Sequence, residues 1–234
     1  MLRERCTGDY ILNRLRNTYT IRPEDYVSLY VFSKTNDVFK TLVATILSQN
    51  STDKAALRAY TKLETEVGIT VERIQKADED LIKRALRTCG LYNNKSRYLK
   101  ELSDEIRRLG GSEWLKRILE LEEKEAKSEL LKLHGVGEKT ADVILLLVKG
   151  AKVFPVDTHI SRIARRMGLV DERAGYKRTS EALLRLFKGE NNTIAHLLLI
   201  AHGRNTCRPR KPDCGRCVLR ECCNTWLKLK GTKI

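Results

Sequence analysis

The chain has 234 residues, about one and a half average domains, which favours a protein of two lobes. Hydrophobic residues make up 41% of it, enough to build a core, so wholesale disorder is excluded. Its 45 Lys and Arg outnumber its 30 Asp and Glu, which gives a formal net charge of +15. Because the basic residues run along the whole chain and not along one amphipathic helix, nucleic acid is a better candidate partner than an anionic membrane.

No segment has the character of a membrane span or a leader. The longest apolar run, Val143–Val148, falls far short of the roughly 20 residues that cross a bilayer. The N-terminus mixes charges and has no apolar stretch behind it, which argues against a signal peptide. We therefore expect a cytoplasmic protein, nucleoid-associated if the source is prokaryotic. Its seven cysteines would then lie in a reducing compartment, where metal binding is commoner than disulfide pairing.

Apolar residues recur at helical spacing along the chain, and no segment shows sustained alternation of polar and apolar residues. The pattern predicts an all-α fold, in which the residues from Ala141 to Val148 form a helix buried on every side. Two earlier buried helical faces are predicted, the first at Phe39, Leu42, Val43, Ile46 and Leu47 and the second at Leu99, Leu102, Ile106 and Leu109.

Glycines and charges mark the predicted helix ends. Gly110-Gly111 and Gly150 each follow a helical pattern, at the position where a left-handed cap suits glycine. The charge-dense run from Leu119 to Leu130 carries two Glu–Lys pairs four residues apart, Glu120 with Lys124 and Glu123 with Lys127. Such pairs stabilise an exposed helix, so one helix is expected across this run.

A glycine hairpin lies between two helical patterns, in Leu133–Ala141. Gly135 and Gly137 allow a tight turn whose backbone N–H groups, at the positive end of the next helix, suit a DNA phosphate; a plain helix–helix turn is the alternative. Lys139 falls in the first turn of that helix, where a cation is disfavoured by a few tenths to about 1 kcal/mol. The placement is either an accident of the surface or a device that favours the neutral, nucleophilic amine.

Asp157 stands just before an Arg-rich helical stretch. Taken alone it is an N-cap, because an aspartate in that position accepts hydrogen bonds from the first backbone N–H groups of a helix. His159, taken alone, is a structural or phosphate-facing residue and not a metal ligand.

Several segments, in order and at largely matching spacing, resemble the helix–hairpin–helix DNA glycosylases, most closely those of the endonuclease III type. They are Leu47–Asp53, Gly90–Lys95, Leu133–Ala141, Val156–His159 and His202–Cys207. The resemblance implies a two-domain all-α fold with an active-site cleft between the domains. Residues 30–151 would form a six-helix barrel that carries the hairpin, and residues 1–29 with 152–234 would form an iron–sulfur cluster domain.

The resemblance also implies an activity, that of a base-excision-repair DNA N-glycosylase and AP lyase acting on oxidised or damaged pyrimidines. Lys139 matches the catalytic lysine, whose amine attacks the sugar C1′, expels the base and forms a Schiff base that permits β-elimination. Asp157 matches the aspartate that stabilises positive charge on the sugar or accepts the proton of the lysine. These residue types suit the chemistry, because a glycosidic bond breaks through an oxocarbenium-like state that a carboxylate stabilises.

A damaged base inside the stack has to be swung out, and the gap has to be filled. By the resemblance, Leu91 is the wedge and the loop at Gln49 and Asn50 lies near the extruded nucleotide. Leu91 could instead be an ordinary core leucine, but the glycine before it and Tyr-Asn-Asn after it favour an exposed turn.

The sequence departs from the family in ways that bear on the lesion it prefers. Endonuclease III typically has glutamine where Asn50 falls and a small residue where Gln49 falls, and the segment between Gly111 and Leu133 is longer than usual. The related mismatch adenine glycosylases carry a glutamate near Ala44 and usually lack a lysine at position 139, so adenine excision is not expected.

Four cysteines, Cys207, Cys214, Cys217 and Cys223, lie within seventeen residues. Four thiolates so close together wrap one metal centre, and zinc is the simplest candidate from composition alone. The resemblance instead implies a [4Fe-4S] cluster with these four ligands. Cys222 is adjacent to Cys223 and could replace it, but the family spacing favours Cys223. Two further cysteines, Cys6 and Cys89, are expected to be small buried residues.

The cysteine loop also carries Arg208, Arg210 and Lys211 between two prolines, which suits phosphate docking. The expected partner is damaged double-stranded DNA, bound by a monomer without any membrane. Two alternatives stay open: the same scaffold excising mismatched uracil or thymine or a damaged purine, and a non-catalytic helix–hairpin–helix DNA-binding protein with a zinc site.

Overall fold

The computed structural model describes residues 6–189 and 191–231, which form two compact units. The central unit is Arg22–Ala151, and the terminal unit consists of the described residues up to Ile21 and from Lys152 onward. Residues 1–5, 190 and 232–234, which the sequence analysis assigned to the cluster domain, lie outside the described residues. Residues 22–29 were assigned there too, but they group with the central unit because the helix that begins at Val27 packs within it.

All regular structure in the described residues is helical, as the sequence predicts. In chain order the α-helices are α1 Gly8–Arg16, α2 Val27–Thr35, α3 Val38–Ser48, α4 Asp53–Glu66, α5 Val71–Lys76, α6 Glu79–Leu86, α7 Tyr92–Leu109, α8 Gly111–Glu120, α9 Glu123–Leu131, α10 Glu138–Ile144, α11 Thr158–Met167, α12 Tyr176–Phe187, α13 Asn192–Asn205 and α14 Asn224–Leu229. Shorter 3₁₀ or π turns occupy Pro23–Asp25, Leu145–Lys149 and Arg220–Cys222. None of these helices is long and apolar enough to cross a membrane.

Helix α3 is the core of the central unit. It packs against α2, α4, α8 and α10, and every residue from Thr41 to Leu47 is buried. The predicted face is therefore confirmed, and burial extends around the whole helix. Asp37 begins the helix by accepting a hydrogen bond from the Lys40 backbone N–H at 2.8 Å.

The second predicted face is confirmed in α7 except at its last position. Leu99, Leu102 and Ile106 are buried, whereas Leu109 is 45% exposed. Leu109 lies in the last turn of the helix, directly before Gly110-Gly111, where both glycines have positive φ and the chain turns into α8. Because the chain turns here, the Leu109 side chain does not reach the core.

Helix α10 and the π turn after it are buried from Thr140 to Leu146, and Gly150 ends them with φ of 66°. Both the buried helix and its glycine cap were predicted. Burial ends before Leu147, so the prediction of burial on every side was wrong for the last two residues.

The charge-dense run is two helices and not one. Helix α8 ends at Glu120, Leu121 and Glu122 are extended, and α9 begins at Glu123. The Lys149 Nζ donates to the carbonyls of Leu119 and Leu121, at 2.7 and 2.6 Å. A distant lysine thus takes up backbone carbonyls that a continuous helix would have paired internally, and charge spacing alone cannot reveal that.

The terminal unit is built around α13, in which every residue from Ala195 to Gly203 is buried. Helices α1, α11 and α12 pack against it, and α14 packs on α11. The Gly203 backbone lies so close to His159 that a Cβ would come within 2.6 Å of the histidine Cβ, so α11 and α13 touch at backbone distance.

Candidate active site

The hairpin of the central unit connects α9 to α10. The Val136 backbone N–H donates to the Leu133 carbonyl at 3.1 Å, and Gly135 takes a φ of 77°. A Cβ at Gly135 would lie 3.3 Å from that of Tyr98, so the turn requires glycine both for its dihedral angle and for space. Gly137 precedes α10 and no side chain caps the helix, which leaves its first backbone N–H groups for a ligand.

Helix α7 holds this hairpin from one side. The His134 backbone N–H donates to the Glu105 carboxylate at 2.6 Å, and its Nε2 lies 2.6 Å from Glu101 Oε2. The Tyr98 ring lies 5.2 Å from the imidazole, centre to centre. Three residues on one stripe of α7 therefore fix a turn that is 29 to 36 residues away in the sequence.

Lys139 lies in the first turn of α10, as the sequence predicts, and its side chain is half-buried. No other described residue forms a hydrogen bond or ion pair with its amine. The neighbouring Thr140 is buried. Three residues after Lys139, the buried Asp142 forms an ion pair with Lys127, with 2.7 Å between Oδ1 and Nζ. The helix that carries Lys139 is thereby joined to α9, while the amine itself stays available for a reaction.

The turn after α3 contains the Gln49 and Asn50 pair. Asn50 is exposed and has a φ of 50°, a left-handed conformation that asparagine tolerates better than most residues. The Gln49 side chain points the other way, because its Nε2 donates to the Gly135 carbonyl and to Thr140 Oγ1, each at 3.1 Å. Asn50 is therefore the more exposed residue of this pair, and Gln49 is half-buried.

Leu91 is exposed, as its sequence context predicts. Leu91 is 54% accessible. It is the N-cap residue of α7 and has a left-handed backbone conformation, with a φ of 59°. A leucine held in that conformation with its side chain in water is unusual, since both the backbone and the exposure carry a cost.

Asp157 belongs to the terminal unit, at the N-cap of α11. Its Oδ1 accepts a hydrogen bond from the Ile160 backbone N–H at 2.7 Å, which is the capping role that the sequence predicts. His159 follows in the first turn, and burial lowers its pKa below the ordinary value. Its Nδ1 lies 3.1 Å from Arg162, so its immediate contact is structural.

Four thiols line a cavity in the terminal unit, of about 100 Å³. They belong to Cys207, Cys214, Cys217 and Cys223, and none of them is in a disulfide. Within the described ranges no three His, Cys, Asp or Glu side chains converge on a position for a single metal ion. Burial raises the pKa of Cys217 to about 11.

Helices α11 and α13 hold this cysteine loop in place. Arg162 donates to the carbonyls of Cys207 and Gly203, at 2.8 and 3.0 Å. Arg166 lies 3.3 Å from Cys207 Sγ, and the buried His202 lies 3.7 Å from Cys217 Sγ. Cationic and imidazole groups thus approach two of the sulfur atoms directly.

Cys222 is excluded as an alternative ligand because it forms a disulfide with Cys6. The expectation that the cysteines do not pair was therefore wrong for these two, although Cys6 is buried as predicted. Cys89 is buried and unpaired. The sequence gives no sign of the disulfide, because its two cysteines lie 216 positions apart.

The basic loop after Cys207 is exposed at Arg208, Arg210 and Lys211. Arg208 donates to the Lys211 carbonyl at 3.1 Å, and Lys211 itself has a φ of 49°. The loop therefore has a defined turn, and it presents all three cations to solvent.

Comparison with known proteins decides the family. The profile described as "HhH-GPD superfamily base excision DNA repair protein" matches residues 43–189. Endonuclease III of Sulfolobus acidocaldarius is 43% identical over 215 residues, which cover 92% of this chain and 94% of that protein. The chain belongs to the HhH-GPD superfamily, and within it to the endonuclease III family.

Two solved structures share the fold of this endonuclease III family member. One is a non-covalent endonuclease III–DNA complex, 24% identical, with a TM-score of 0.78 over 96% of this chain and 97% of the other. The second is a thermostable thymine-DNA glycosylase, also 24% identical, with a TM-score of 0.76 over 94% and 95% of the two chains. The resemblance drawn from the motifs is confirmed, and the protein is an enzyme of base-excision repair, a DNA glycosylase and AP lyase.

Some of the residues that hold the site together were not predicted from the sequence. Lys95 is the clearest, since it is 2% exposed and its Nζ donates to the Leu47 carbonyl at 2.8 Å. A signal was present: positions 95, 99, 102 and 106 share the 4–3–4 spacing of one helical face, so the lysine falls on the buried stripe. The contacts of Gln49 with the hairpin left no such trace.

Proposed function

We propose that the chain removes oxidised pyrimidines from duplex DNA and then cleaves the strand by β-elimination, with Lys139 as the nucleophile and Asp157 as its partner. The observation that carries the proposal is the available amine of Lys139 in the first turn of α10, directly behind the glycine hairpin. In this mechanism the neutral amine displaces the base at C1′, and the C1′–O4′ bond then breaks, which opens the sugar ring and gives a Schiff base with a hydroxyl at C4′. The Schiff base acidifies the 2′ proton, and loss of that proton expels the 3′ phosphate.

Asp157 would stabilise the positive charge that develops on the sugar as the glycosidic bond breaks. Its N-cap hydrogen bond holds the carboxylate in one orientation and uses one oxygen, Oδ1. No described residue donates a hydrogen bond to the other oxygen, which is the one proposed to face the sugar.

Borohydride trapping on abasic DNA tests the lyase chemistry, because it reduces the Schiff base to a stable covalent bond. We expect trapping by the parent protein and none by Lys139→Ala, which should still bind DNA with comparable dependence on salt. Lys124→Ala, which alters an exposed lysine of α9, is the matched control and should trap normally. Failure of the intact protein to trap would overturn the mechanism.

A panel of duplexes that carry an oxidised pyrimidine, a U·G or T·G mismatch, or a damaged purine tests the substrate. Oxidised pyrimidines are the expected preference. The thermostable thymine-DNA glycosylase shares the fold, and it makes mismatch excision the second candidate. A higher single-turnover rate on T·G than on the oxidised pyrimidine would decide for that alternative.

We propose that the four thiols Cys207, Cys214, Cys217 and Cys223 hold a [4Fe-4S] cluster. They border about 100 Å³, which suits a cluster, whereas zinc requires four sulfur atoms about 2.3 Å from one point. The cluster would supply structure and not redox chemistry, by holding the loop that bears Arg208, Arg210 and Lys211 in position for DNA phosphates.

Metal analysis of serine variants tests this assignment. A brown protein with about four irons is expected from the parent chain. Cys223→Ser should lose the iron and the colour, whereas Cys222→Ser, which changes the neighbouring residue in the disulfide, should keep both. A colourless protein that contains zinc would contradict the cluster.

A further inference from the structure

Three exposed turns of the central unit carry the residues expected at DNA, and each contains a left-handed residue. They are the turns at Asn50, Leu91 and Gly135, with φ of 50°, 59° and 77°. They come from distant parts of the sequence, following α3, α6 and α9 respectively. Something other than chain connectivity must therefore fix their spacing.

Lys95 fixes the first turn to the second. Its backbone N–H donates to the Leu91 carbonyl at 3.0 Å, and its side-chain ammonium donates to the Leu47 carbonyl near the end of α3. The ammonium is a cation at a helix C-terminus, where unpaired carbonyls and the helix dipole favour it. In the described part of the chain it forms no ion pair, so its position serves that carbonyl.

The two turns also touch directly. A Cβ at Gly90 would lie 3.2 Å from the Asn50 carbonyl oxygen, tighter than ordinary van der Waals contact. Any side chain at position 90 would therefore push the Leu91 turn away from Asn50.

Gln49 fixes the first turn to the third. Its Nε2 bridges the Gly135 carbonyl of the hairpin and the hydroxyl of Thr140, the residue after Lys139. One amide thus joins the Asn50 turn both to the hairpin and to the helix that carries the proposed nucleophile. Both hydrogen bonds of the Gln49 Nε2 are made within the protein. These two bonds are enough to account for the orientation of the side chain, without a contact to DNA.

We infer that Lys95 and Gln49 are positioning residues that hold the turns at Asn50, Leu91 and Gly135 as one preformed frame for nucleotide extrusion. The inference rests on the proposed function. Neither residue takes part in bond breaking. They keep the wedge and the residues around the extruded nucleotide in place before DNA binds. A displacement of about 1 Å in such a frame can lower the rate about 100-fold.

The test compares two reactions of the same enzyme. Excision of an oxidised pyrimidine requires an intact base to leave the stack, whereas β-elimination at a preformed abasic site does not. Lys95→Met should slow single-turnover excision by at least about 10-fold and leave abasic-site cleavage within about threefold of the parent rate, and Gln49→Leu should slow excision more than it slows abasic-site cleavage. The fluorescence of a 2-aminopurine placed beside the lesion, which reports unstacking, should rise more slowly in both variants.

Lys100→Met is the matched control for Lys95→Met. Lys100 lies on the same helix, and its ammonium also donates to backbone carbonyls, those of Gln75 and of Ala77 (the latter at 2.7 Å), but it touches none of the three turns. The Lys100→Met protein should be less stable than the parent, but its excision rate should not fall more than its rate of abasic-site cleavage. Equal losses in both reactions, or the same selective loss in Lys100→Met, would overturn the inference in favour of general stabilisation.

Gln49→Leu keeps the test decisive if Lys95→Met does not fold, since it changes a half-buried side chain outside any helix. A selective loss of excision in that variant supports the frame, and unchanged excision overturns it. If the parent protein neither excises a base nor cleaves an abasic site, the proposed function is wrong. That outcome is seen in the parent protein alone, so it is distinct from a failure of the inference, which is seen in the variants.

Discussion

Asp157 has a structural role as an N-cap and, in the proposed mechanism, a chemical role as well. As an N-cap it stabilises α11, and asparagine caps a helix about as well as aspartate. Asp157→Asn should therefore fold normally yet excise bases at least about 100-fold more slowly, because the charge opposite the developing cation is gone. Single-turnover kinetics and a thermal melt measure the two effects. Asp37→Asn, which alters the cap of α3, is the control and should leave excision unchanged.

Lys95 gives the stability a specific pH dependence. Burial lowers its pKa, with the nearby Cys89 thiol acting in the opposite direction. Between that lowered value and the unfolded value of 10.5, the unfolded chain binds one more proton than the folded one, so the free energy of unfolding rises with pH. The parent should therefore gain stability relative to Lys95→Met as the pH rises through the alkaline range towards 10.5.

Denaturant melts of both proteins, each in a Cys89→Ala background, measure this difference without the titration of the thiol. A stability gap that stays constant over the pH range would mean that the ammonium is solvated in solution, contrary to its burial in the structure.

At the scale of elements, one distant side chain, that of Lys149, binds two backbone carbonyls at the break between α8 and α9. Lys149→Met removes two hydrogen bonds from an ammonium to the carbonyls of Leu119 and Leu121 and leaves those carbonyls without that partner. The free energy of unfolding should fall by about 1–3 kcal/mol, and backbone amides near residue 121 should exchange faster. Lys116→Met, which removes an exposed ion pair with Glu113, should leave the stability close to that of the parent. Equal effects would contradict the role of Lys149.

Periodicity predicted the helices well wherever burial follows local spacing. The faces of α3 and α7, the buried α10 and the glycines that end helices all follow from a chain that repeats every 3.6 residues. The same reasoning failed where a distant group decides the outcome, as at Leu121 with Lys149 and at Leu109 beside the glycine turn. Local charge patterns do not report which carbonyl a lysine 28 residues away will bind.

The candidate site divides in the same way. Lys139, Asp157 and the four cysteines stand in short motifs, and the resemblance of those motifs to the family predicts their roles. Gln49 and Lys95 act through contacts made 86 and 48 residues away, and only the fold brings those groups together. The motifs predicted which residues face the reaction, and the structure shows what holds those of the central unit in place.

For the whole molecule, the disulfide between Cys6 and Cys222 should be a major source of stability. In the chain-entropy account a loop of this length contributes about 5 kcal/mol, by restricting the unfolded state. Reduction should therefore lower the melting temperature by about 10 °C. Cys6→Ala should melt at the same temperature with or without reductant, and a parent protein insensitive to reductant would contradict the bond.

After metal removal and denaturation, the oxidised parent should titrate as five free thiols out of seven cysteines.

Disulfides are common in oxidising compartments and in the intracellular proteins of hyperthermophiles. The bond also closes almost the entire polypeptide into a single ring. A protease that cuts anywhere between the two cysteines opens the ring without releasing a fragment, so the nicked protein keeps its mass and migrates as one band until a reducing agent separates the pieces.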